Sequence, residues 1–149
     1  MNKIILFRHG EHEDDCLTNE GKKQIHELMQ KLDIFIGKSQ DIKIFTSTFA
    51  RTKMSAEIIA QGLKVEKITT INIIGEDDID EDKIYDFIKS EEAQAEIVIL
   101  ATHVQHVRFF PQFFSFVEWA TDKEIDEIEP GEAVMIDCLD KKIIELKRS

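Results

Sequence analysis

Short apolar segments alternate with longer segments of helical periodicity along this chain, and no other feature restricts its fold as much. The apolar run Ile97-Val98-Ile99-Leu100 is typical of a strand at the centre of a sheet. In 18–36, by contrast, apolar residues recur at the spacing of a helix face, and Gly37 follows as a stop. Strands and helices in alternation form a mostly parallel sheet that helices cover on both faces. The sequence therefore predicts a three-layer α/β/α domain.

The other elements follow with little sequence left over for long loops. We predict strands over 3–7, 42–46, 67–74 and 96–101, helices over 18–36, 49–61, 80–90 and 104–119, and a closing hairpin formed by 133–138 and 142–147. The hairpin adds an antiparallel closing strand to the sheet. We expect Gly62 to end the second helix and Pro111 to kink or break the last one.

Composition and charge restrict the partners of the chain. Hydrophobic residues make up 42% of its 149 residues, which suits a globular core, and no apolar run approaches the roughly 20 residues that span a membrane. The formal net charge of −11 disfavours a nucleic-acid partner and an anionic membrane surface, so we expect neither. Cys16 and Cys138 are too few for a disulfide scaffold, and we expect reduced thiols in a cytoplasmic protein.

Cationic and imidazole side chains follow three of the predicted strands. Arg8 and His9 come after the first strand, Arg51 opens the helix after the second, and His103 follows the fourth. Because the carboxyl ends of parallel strands meet at one edge of a sheet, we expect these residues to lie together. Two guanidinium groups and the N-terminus of the helix at Arg51 suit an anion, and an imidazole can attack phosphorus. The constellation predicts phosphoryl chemistry.

The motifs that carry these residues resemble those of a known family. They are Arg8-His9-Gly10-Glu11, then Leu17-Thr18-Asn19-Glu20-Gly21, then Ser47-Thr48-Phe49-Ala50-Arg51-Thr52, and finally Ala101-Thr102-His103. In this order and spacing they resemble the histidine phosphatase superfamily, which has the phosphoglycerate mutase-like fold. The short length most resembles the SixA-type phosphohistidine phosphatases, and it implies a single domain over 1–149 without a cap insertion.

The resemblance implies a role for each matching residue. His9 would be the nucleophile that becomes phosphohistidine, Arg8 and Arg51 would bind the phosphoryl group, and His103 would hydrogen-bond it. Thr18 is expected either to contact phosphate or simply to cap the helix that follows it. The resemblance implies no cofactor and no metal. The substrate would be a phosphohistidine protein or a small phosphorylated metabolite.

A general acid is the least defined part of the pattern. The family often supplies a carboxylic acid after the third strand, where this chain has Glu76, Asp77 and Asp78. Glu76 is the best candidate, and the other reading is a solvated acidic loop. An alkoxide leaving group needs a proton in the transition state, whereas the imidazole of phosphohistidine leaves more readily. Two alternatives therefore stay open: a phosphomonoesterase or mutase-like enzyme that uses Glu76, and a non-catalytic phosphate-binding adaptor.

The remaining histidines and aromatic residues are less informative. His12 and His26 are expected at the surface, and His106 and Arg108 either line the mouth of the pocket or lie on a helix surface. The spacing of His103 and His106 is only a weak metal signal, and we predict a metal-independent site. The Phe-rich segment 109–119 is expected to form a core face, and part of it can form an oligomer or partner surface.

Overall fold

The computed structural model of the chain describes residues 1–38, 41–77 and 79–149. Its strands are β1 (Lys3–Arg8), β2 (His12–Glu13), β3 (Cys16–Leu17), β4 (Ile42–Thr46), β5 (Ile68–Thr70), β6 (Ile97–Thr102), β7 (Ala133–Asp137) and β8 (Lys142–Leu146). Its helices are α1 (Asn19–Ile36), α2 (Ala50–Leu63), α3 (Glu81–Lys89) and α4 (Val104–Trp119), and a short 3₁₀ turn spans Glu91–Ala93.

Six of the strands form one sheet in the order β5-β4-β6-β1-β7-β8. The pairings of β5 with β4, β4 with β6 and β6 with β1 are parallel, and β7 runs antiparallel to both β1 and β8. The predicted α/β class, with a mostly parallel sheet and an antiparallel closing strand, is therefore confirmed. The order also makes β4, β6 and β1 direct neighbours, so the three strands that precede the predicted site residues end side by side.

Two apolar layers fix the sheet between its helices. Alternate residues of the central strands point to opposite faces, as a strand requires. On one face Ile4, Leu6 and Val98 pack in a cluster with apolar residues of α3 and α4, and on the other Ile5 and Ile99 pack with those of α1 and α2. Every residue of β6 is buried, which is expected for the strand between two parallel neighbours. The predicted three-layer arrangement is confirmed.

Two boundary predictions are wrong, and the break expected at Pro111 is not found. Helix α2 continues through Gly62 to Leu63, and a Cβ on Gly62 would lie 2.4 Å from the Met29 side chain, so the glycine allows α1 and α2 to approach closely. Helix α4 continues through Pro111, which is buried beside Phe110, and its bounds are the predicted 104–119. The third predicted strand is only Ile68–Thr70, because the chain then turns with the Gly75 N–H bonded to the Asn72 carbonyl oxygen.

The Phe-rich segment divides between core and surface. Phe110 and Phe114 are buried in the cluster on one face of the sheet, whereas Phe109 and Phe116 are exposed. The expected core face is therefore present, and it does not use all of the aromatic residues. Across the described ranges, no helix combines the length and the apolar character that crossing a membrane requires.

Candidate active site

The site lies at the adjacent carboxyl ends of β1, β6 and β4. The His9 N–H donates to the Thr102 carbonyl oxygen over 3.3 Å, and the Ser47 N–H donates to the Ala101 carbonyl oxygen over 3.1 Å. These backbone bonds extend the sheet by one residue and fix His9, Ser47 and His103 relative to one another. The ring centroids of His9 and His103 are 5.4 Å apart. The predicted meeting of the three strand ends is found in the structure.

His9 is held as a neutral imidazole with one nitrogen directed into the site. Its ring Nδ1 lies 2.9 Å from the Gly10 carbonyl oxygen, which can only accept, so Nδ1 carries the proton. The lone pair is then on Nε2, which accepts from Arg51 Nε over 3.3 Å. Burial, with a further contribution from the charge of Arg51, lowers the pKa of His9 to about 4. At neutral pH the Nε2 atom is therefore unprotonated and nucleophilic.

Arg51 is the centre of the polar network. Its Nε faces His9, its Nη2 donates to Glu76 Oε2 over 2.6 Å, and its Nη1 donates to Asp15 Oδ1 over 2.8 Å. The Nε and Nη2 groups share one edge of the planar guanidinium, the edge that binds a phosphate or a carboxylate bidentately. The guanidinium also lies over the Phe49 ring, 4.5 Å from its centroid. The nucleophilic nitrogen of His9 and the carboxylate of Glu76 thus both contact one edge of the Arg51 guanidinium.

Asp15 occupies the N-terminus of α2, where an open anion site is expected from the sequence. Its carboxylate accepts from the backbone N–H groups of Ala50, over 3.0 Å, and of Arg51, over 3.3 Å. Burial alone raises the pKa of Asp15, but these two hydrogen bonds and the Arg51 side chain outweigh it and lower the pKa. The expectation that the α2 N-terminus is open to phosphate is therefore wrong, because the chain supplies its own anion.

The sequence alone does not predict the role of Asp15, because the position of this residue depends on a small β-ribbon. The alternation of strands and helices along the chain does not reveal that ribbon. Strands β2 and β3 pair across the two-residue turn Asp14-Asp15, with φ of 49° and 64°. Positive φ at both central residues is what a type I′ hairpin turn requires, and Asp is among the residues that tolerate it. The Asp-Asp pair was the available signal. The same ribbon brings the His12 ring to 5.2 Å from the His9 ring, although His12 is exposed as expected.

His103 is buried, neutral and held by Ser47. Its Nε2 lies 2.9 Å from Ser47 Oγ, which in turn lies 2.6 Å from Thr52 Oγ1. The side chain is only 2% exposed, and burial, followed by the charges of His9 and Arg51, lowers its pKa to about 3. Phe49 packs edge-on against the ring with a centroid distance of 5.1 Å. The imidazole is therefore fixed in place beside His9.

Arg8 brings the second guanidinium to the nucleophile. Its Nη1 donates to the Ile128 carbonyl oxygen over 2.8 Å, while its buried Nε has no hydrogen-bond partner within 1–38, 41–77 and 79–149. Burial is the main cause of its lowered pKa, with the acidic side chains of 127–132 acting in the opposite direction. The charge of Arg8 also contributes to the low pKa of His9. A buried charged donor without a partner carries a desolvation cost, which an acceptor brought to it would remove.

Glu76 is brought to Arg51 by three hydrogen bonds that tie its loop to the region around the start of α4. Thr102 Oγ1 donates to the Ile74 carbonyl oxygen over 2.7 Å, His106 Nε2 lies 2.7 Å from the Gly75 carbonyl oxygen, and Gln105 Nε2 donates to the Glu76 carbonyl oxygen. The side chain of Glu76 is still 51% exposed. The carboxylate is therefore part of the site, whereas Asp77 is exposed and Asp78 lies outside the described residues.

Other sequence candidates lie in different positions. Thr18 caps α1, because its Oγ1 accepts from the Gly21 N–H over 3.0 Å and donates to the Glu11 carbonyl oxygen over 3.4 Å. His106 is fully buried against the Glu76 loop rather than on the surface. Arg108 donates to the Ile125 carbonyl oxygen and does not reach His9 by any contact in the described part of the chain. His26 is exposed on α1.

Metal-binding groups are not assembled in the described residues. No three His, Cys, Asp or Glu side chains within 1–38, 41–77 and 79–149 are grouped so that they could hold an ion. His103 and His106, which have suggestive spacing, are bonded to Ser47 and to the Gly75 carbonyl oxygen respectively. A metal-independent reaction stays a prediction.

Comparison with solved structures identifies the fold. The chain is similar to the protein histidine phosphatase SixA complexed with tungstate, with a TM-score of 0.68 and 13% identity over 96% of this chain and 93% of that one. It is also similar to mycobacterial glucosyl-3-phosphoglycerate phosphatase complexed with VO3, with a TM-score of 0.69 and 10% identity over 100% of both chains. Phosphoglycerate mutase from Plasmodium falciparum gives a TM-score of 0.62 and 19% identity over 99% of this chain and 89% of that one.

These proteins belong to the histidine phosphatase superfamily, so the phosphoglycerate mutase-like fold that the resemblance implied is confirmed. No protein-family model matches the chain, and no curated protein matches it. At identities of 10–19% the likeness shows a shared fold. The activity has to be argued from the side chains of the site.

Proposed function

We propose that this protein is a phosphohydrolase that removes a phosphoryl group through a phosphohistidine intermediate on His9. The observation that carries the proposal is the contact of His9 Nε2 with Arg51 Nε, on the same guanidinium edge that holds Glu76. A neutral nucleophilic nitrogen and a bidentate oxyanion donor then lie side by side in a buried site. The histidine phosphatases and related enzymes that share the fold support the same class of reaction.

In the proposed first step, two phosphoryl oxygens bind the Nε/Nη2 edge of Arg51, so that Nη2 releases the Glu76 carboxylate and Nε releases His9 Nε2. His9 Nε2 forms a bond to phosphorus while the bond from phosphorus to the leaving oxygen or nitrogen breaks, and the leaving atom takes up a proton from solvent. Water then attacks phosphorus and gives a proton back to solvent, the bond to Nε2 breaks, and orthophosphate leaves with His9 neutral again. Nδ1 keeps its hydrogen bond to the Gly10 carbonyl oxygen throughout, which holds the ring in place.

Arg8 and His103 complete the proposed phosphoryl site. The unpaired Nε of Arg8 offers a charged donor, and His103, neutral at rest, can donate to a phosphoryl oxygen from the ring nitrogen that carries its proton. Charge spreads over the equatorial oxygens of a transferring phosphoryl group, so several fixed donors around it lower the barrier. The proposal assigns no role to Thr18, whose hydroxyl caps α1.

Glu76 supports a second candidate, a phosphomonoesterase or mutase-like enzyme. The carboxylate leaves Arg51 when the phosphoryl group binds, and it is then next to the phosphoryl group on its solvent side, because half of the side chain is exposed. An acid there can protonate an alkoxide leaving group. The contact between Arg51 and Glu76 favours this reading over a purely solvated loop.

We propose a phosphohistidine protein or a small phosphorylated metabolite as substrate, and no cofactor. A cytoplasmic location, a single domain over 1–149 and an oligomer through the exposed part of 109–119 stay predictions. Exposed Phe116 is the residue at which the oligomer prediction is best tested, by the sedimentation of a Phe116→Ser variant.

The function is tested by phosphate release without added metal from a phosphohistidine-bearing protein and from p-nitrophenyl phosphate. Wild type is compared with His9→Ala and Glu76→Gln, with His26→Ala as an exposed control. We expect His9→Ala to lose both activities. Phosphohistidine turnover that persists in Glu76→Gln supports the phosphohistidine phosphatase, and ester turnover that depends on Glu76 supports the second candidate.

Two outcomes contradict the proposal. If no substrate turns over while His9→Ala still binds phosphate, the chain is a phosphate-binding adaptor. If activity is lost on chelation and restored by a divalent ion, the metal-free reaction is wrong.

A further inference from the structure

The carboxylate of Asp15 fills a position that would otherwise attract an anion. It accepts from two backbone N–H groups at the start of α2 and from Arg51 Nη1, at distances of 2.8–3.3 Å. Phe49, the residue before the helix, provides no side-chain cap, so Asp15 from the β2–β3 ribbon is the group that caps it. The α2 N-terminus is thus neutralised from within the chain.

Few cationic donors then remain for a substrate. Arg8 Nη1 is bonded to the Ile128 carbonyl oxygen, and Arg51 Nη1 is bonded to Asp15. In the proposed reaction the phosphoryl group takes the Nε/Nη2 edge of Arg51, which His9 and Glu76 occupy in its absence, and the unpaired Nε of Arg8 is a further charged donor. Two carboxylates surround that edge: Glu76 lies on it at Nη2, and Asp15 lies next to it at Nη1. A second anionic group on a substrate would meet like charge.

We propose that Asp15 is a specificity-determining residue that disfavours substrates whose leaving group carries a second negative charge. The inference rests on the proposed function and narrows its substrate class to phosphoryl groups on neutral or cationic leaving groups. Phosphoramidates of imidazole or amines belong to this class, and phosphate esters that carry a carboxylate do not. Asp15 acts through its charge and through its hydrogen bonds to the α2 N-terminus, and it does not contact the phosphorus atom.

The size of the effect follows from the repulsion of two unit charges. At about 4 Å this repulsion is about 1 kcal/mol in water and more in a partly buried site, which corresponds to at least about fivefold in binding. Asp15 is 40% exposed on its side chain, so we use the lower end of that range. Removing the charge of Asp15 should strengthen the binding of a ligand with a second negative charge by about the same factor.

A matched pair of ligands isolates the second charge. Glycerol 3-phosphate and 3-phosphoglycerate differ by a hydroxymethyl group in place of a carboxylate, so the common phosphoryl group cancels in their ratio. The variant is Asp15→Asn, because Asn tolerates the φ of 64° at this position and its amide oxygen can still accept from the α2 backbone. The control is Glu13→Gln, which removes the same charge from an exposed position on the same ribbon.

We expect wild type to favour glycerol 3-phosphate over 3-phosphoglycerate by at least about fivefold in kcat/KM, and Asp15→Asn to reduce that preference by a similar factor. Glu13→Gln should leave it unchanged. Dissociation constants of both ligands, measured by calorimetry, provide the same ratio without turnover. A wild-type ratio near one, or a ratio that Asp15→Asn does not change, overturns the inference.

The binding ratio also separates the inference from the proposed function. In one outcome, Asp15→Asn changes the ratio of the two dissociation constants although neither wild type nor any variant turns over a substrate. That result refutes the phosphohydrolase and supports the role of Asp15. Turnover with an unchanged ratio refutes the role of Asp15 and keeps the phosphohydrolase. If neither ligand binds wild type while a phosphohistidine-bearing protein is still hydrolysed, the inference about Asp15 is wrong and the phosphohydrolase stands.

Discussion

Acid should destabilise this protein through His9 by an amount that can be calculated. An imidazole in the unfolded chain titrates near its ordinary pKa of 6.5, whereas burial lowers the pKa of folded His9 to about 4. Between these values the unfolded chain binds a proton that the folded chain does not, so stability is lost as the pH falls. From about pH 7.5 to about pH 4.5, His9 alone should contribute a loss of about 2–3 kcal/mol.

The His9→Asn variant removes this contribution and keeps a side chain that can donate to the Gly10 carbonyl oxygen. The measurement is urea unfolding of wild type and variant at both pH values. Because the carboxylates contribute equally to both proteins, the pH-dependent loss of stability should be smaller in the variant by about 2–3 kcal/mol, whatever the substitution costs at neutral pH. The exposed His26→Asn variant is the control, since that ring is in water in both states. Equal losses in wild type and His9→Asn would refute the account of a neutral, buried imidazole.

Three further predictions concern activity and packing. Gln105→Leu removes the side-chain bond to the Glu76 carbonyl oxygen, so ester turnover should fall severalfold in steady-state kinetics while phosphohistidine turnover falls less; equal loss would contradict a role through Glu76. Because the pKa of His9 is about 4, kcat/KM corrected for substrate ionisation should persist well below pH 6 and fall only as the pH approaches 4. A loss of kcat/KM centred near pH 6.5 would be inconsistent with this pKa. Gly10→Ala should cost about 1–3 kcal/mol in urea unfolding, because its Cβ would lie 2.4 Å from the Gly21 carbonyl oxygen; a change below about 0.5 kcal/mol would argue against this close approach.

The order of elements and the meeting of the strand ends follow from the sequence alone. The apolar runs in β1 and β6 are short and unbroken, and β4 is a short strand that contains one charged residue, Lys43. The parallel sheet that these strands imply places Arg8, His9 and His103 at one edge. These predictions succeed because they depend on hydrophobic periodicity and on the common direction of parallel strands. The first property can be read directly from one sequence, and the second is a general rule of sheet geometry.

The parts that the sequence does not reveal depend on contacts between distant segments. The local sequence predicts that Gly62 ends a helix, whereas in the structure Met29 of the neighbouring helix packs against it within the helix. Asp15 reads as one acid in a charged stretch, and its role depends on a two-residue turn that carries it to α2. Hydrogen bonds such as that from His106 to the loop before Glu76 cross about thirty residues of chain, and no local pattern encodes them.

The most direct test is to trap the phosphoryl-enzyme intermediate. Wild type and His9→Asn are mixed with p-nitrophenyl phosphate or a phosphohistidine-bearing protein, quenched in alkali, digested and analysed by mass spectrometry. The account predicts one acid-labile phosphoryl group on His9 of the wild type and none on the corresponding peptide of the variant, which should also release no phosphate. Phosphate release that persists in His9→Asn, with no phosphoryl group on His9 in wild type, would contradict the central claim.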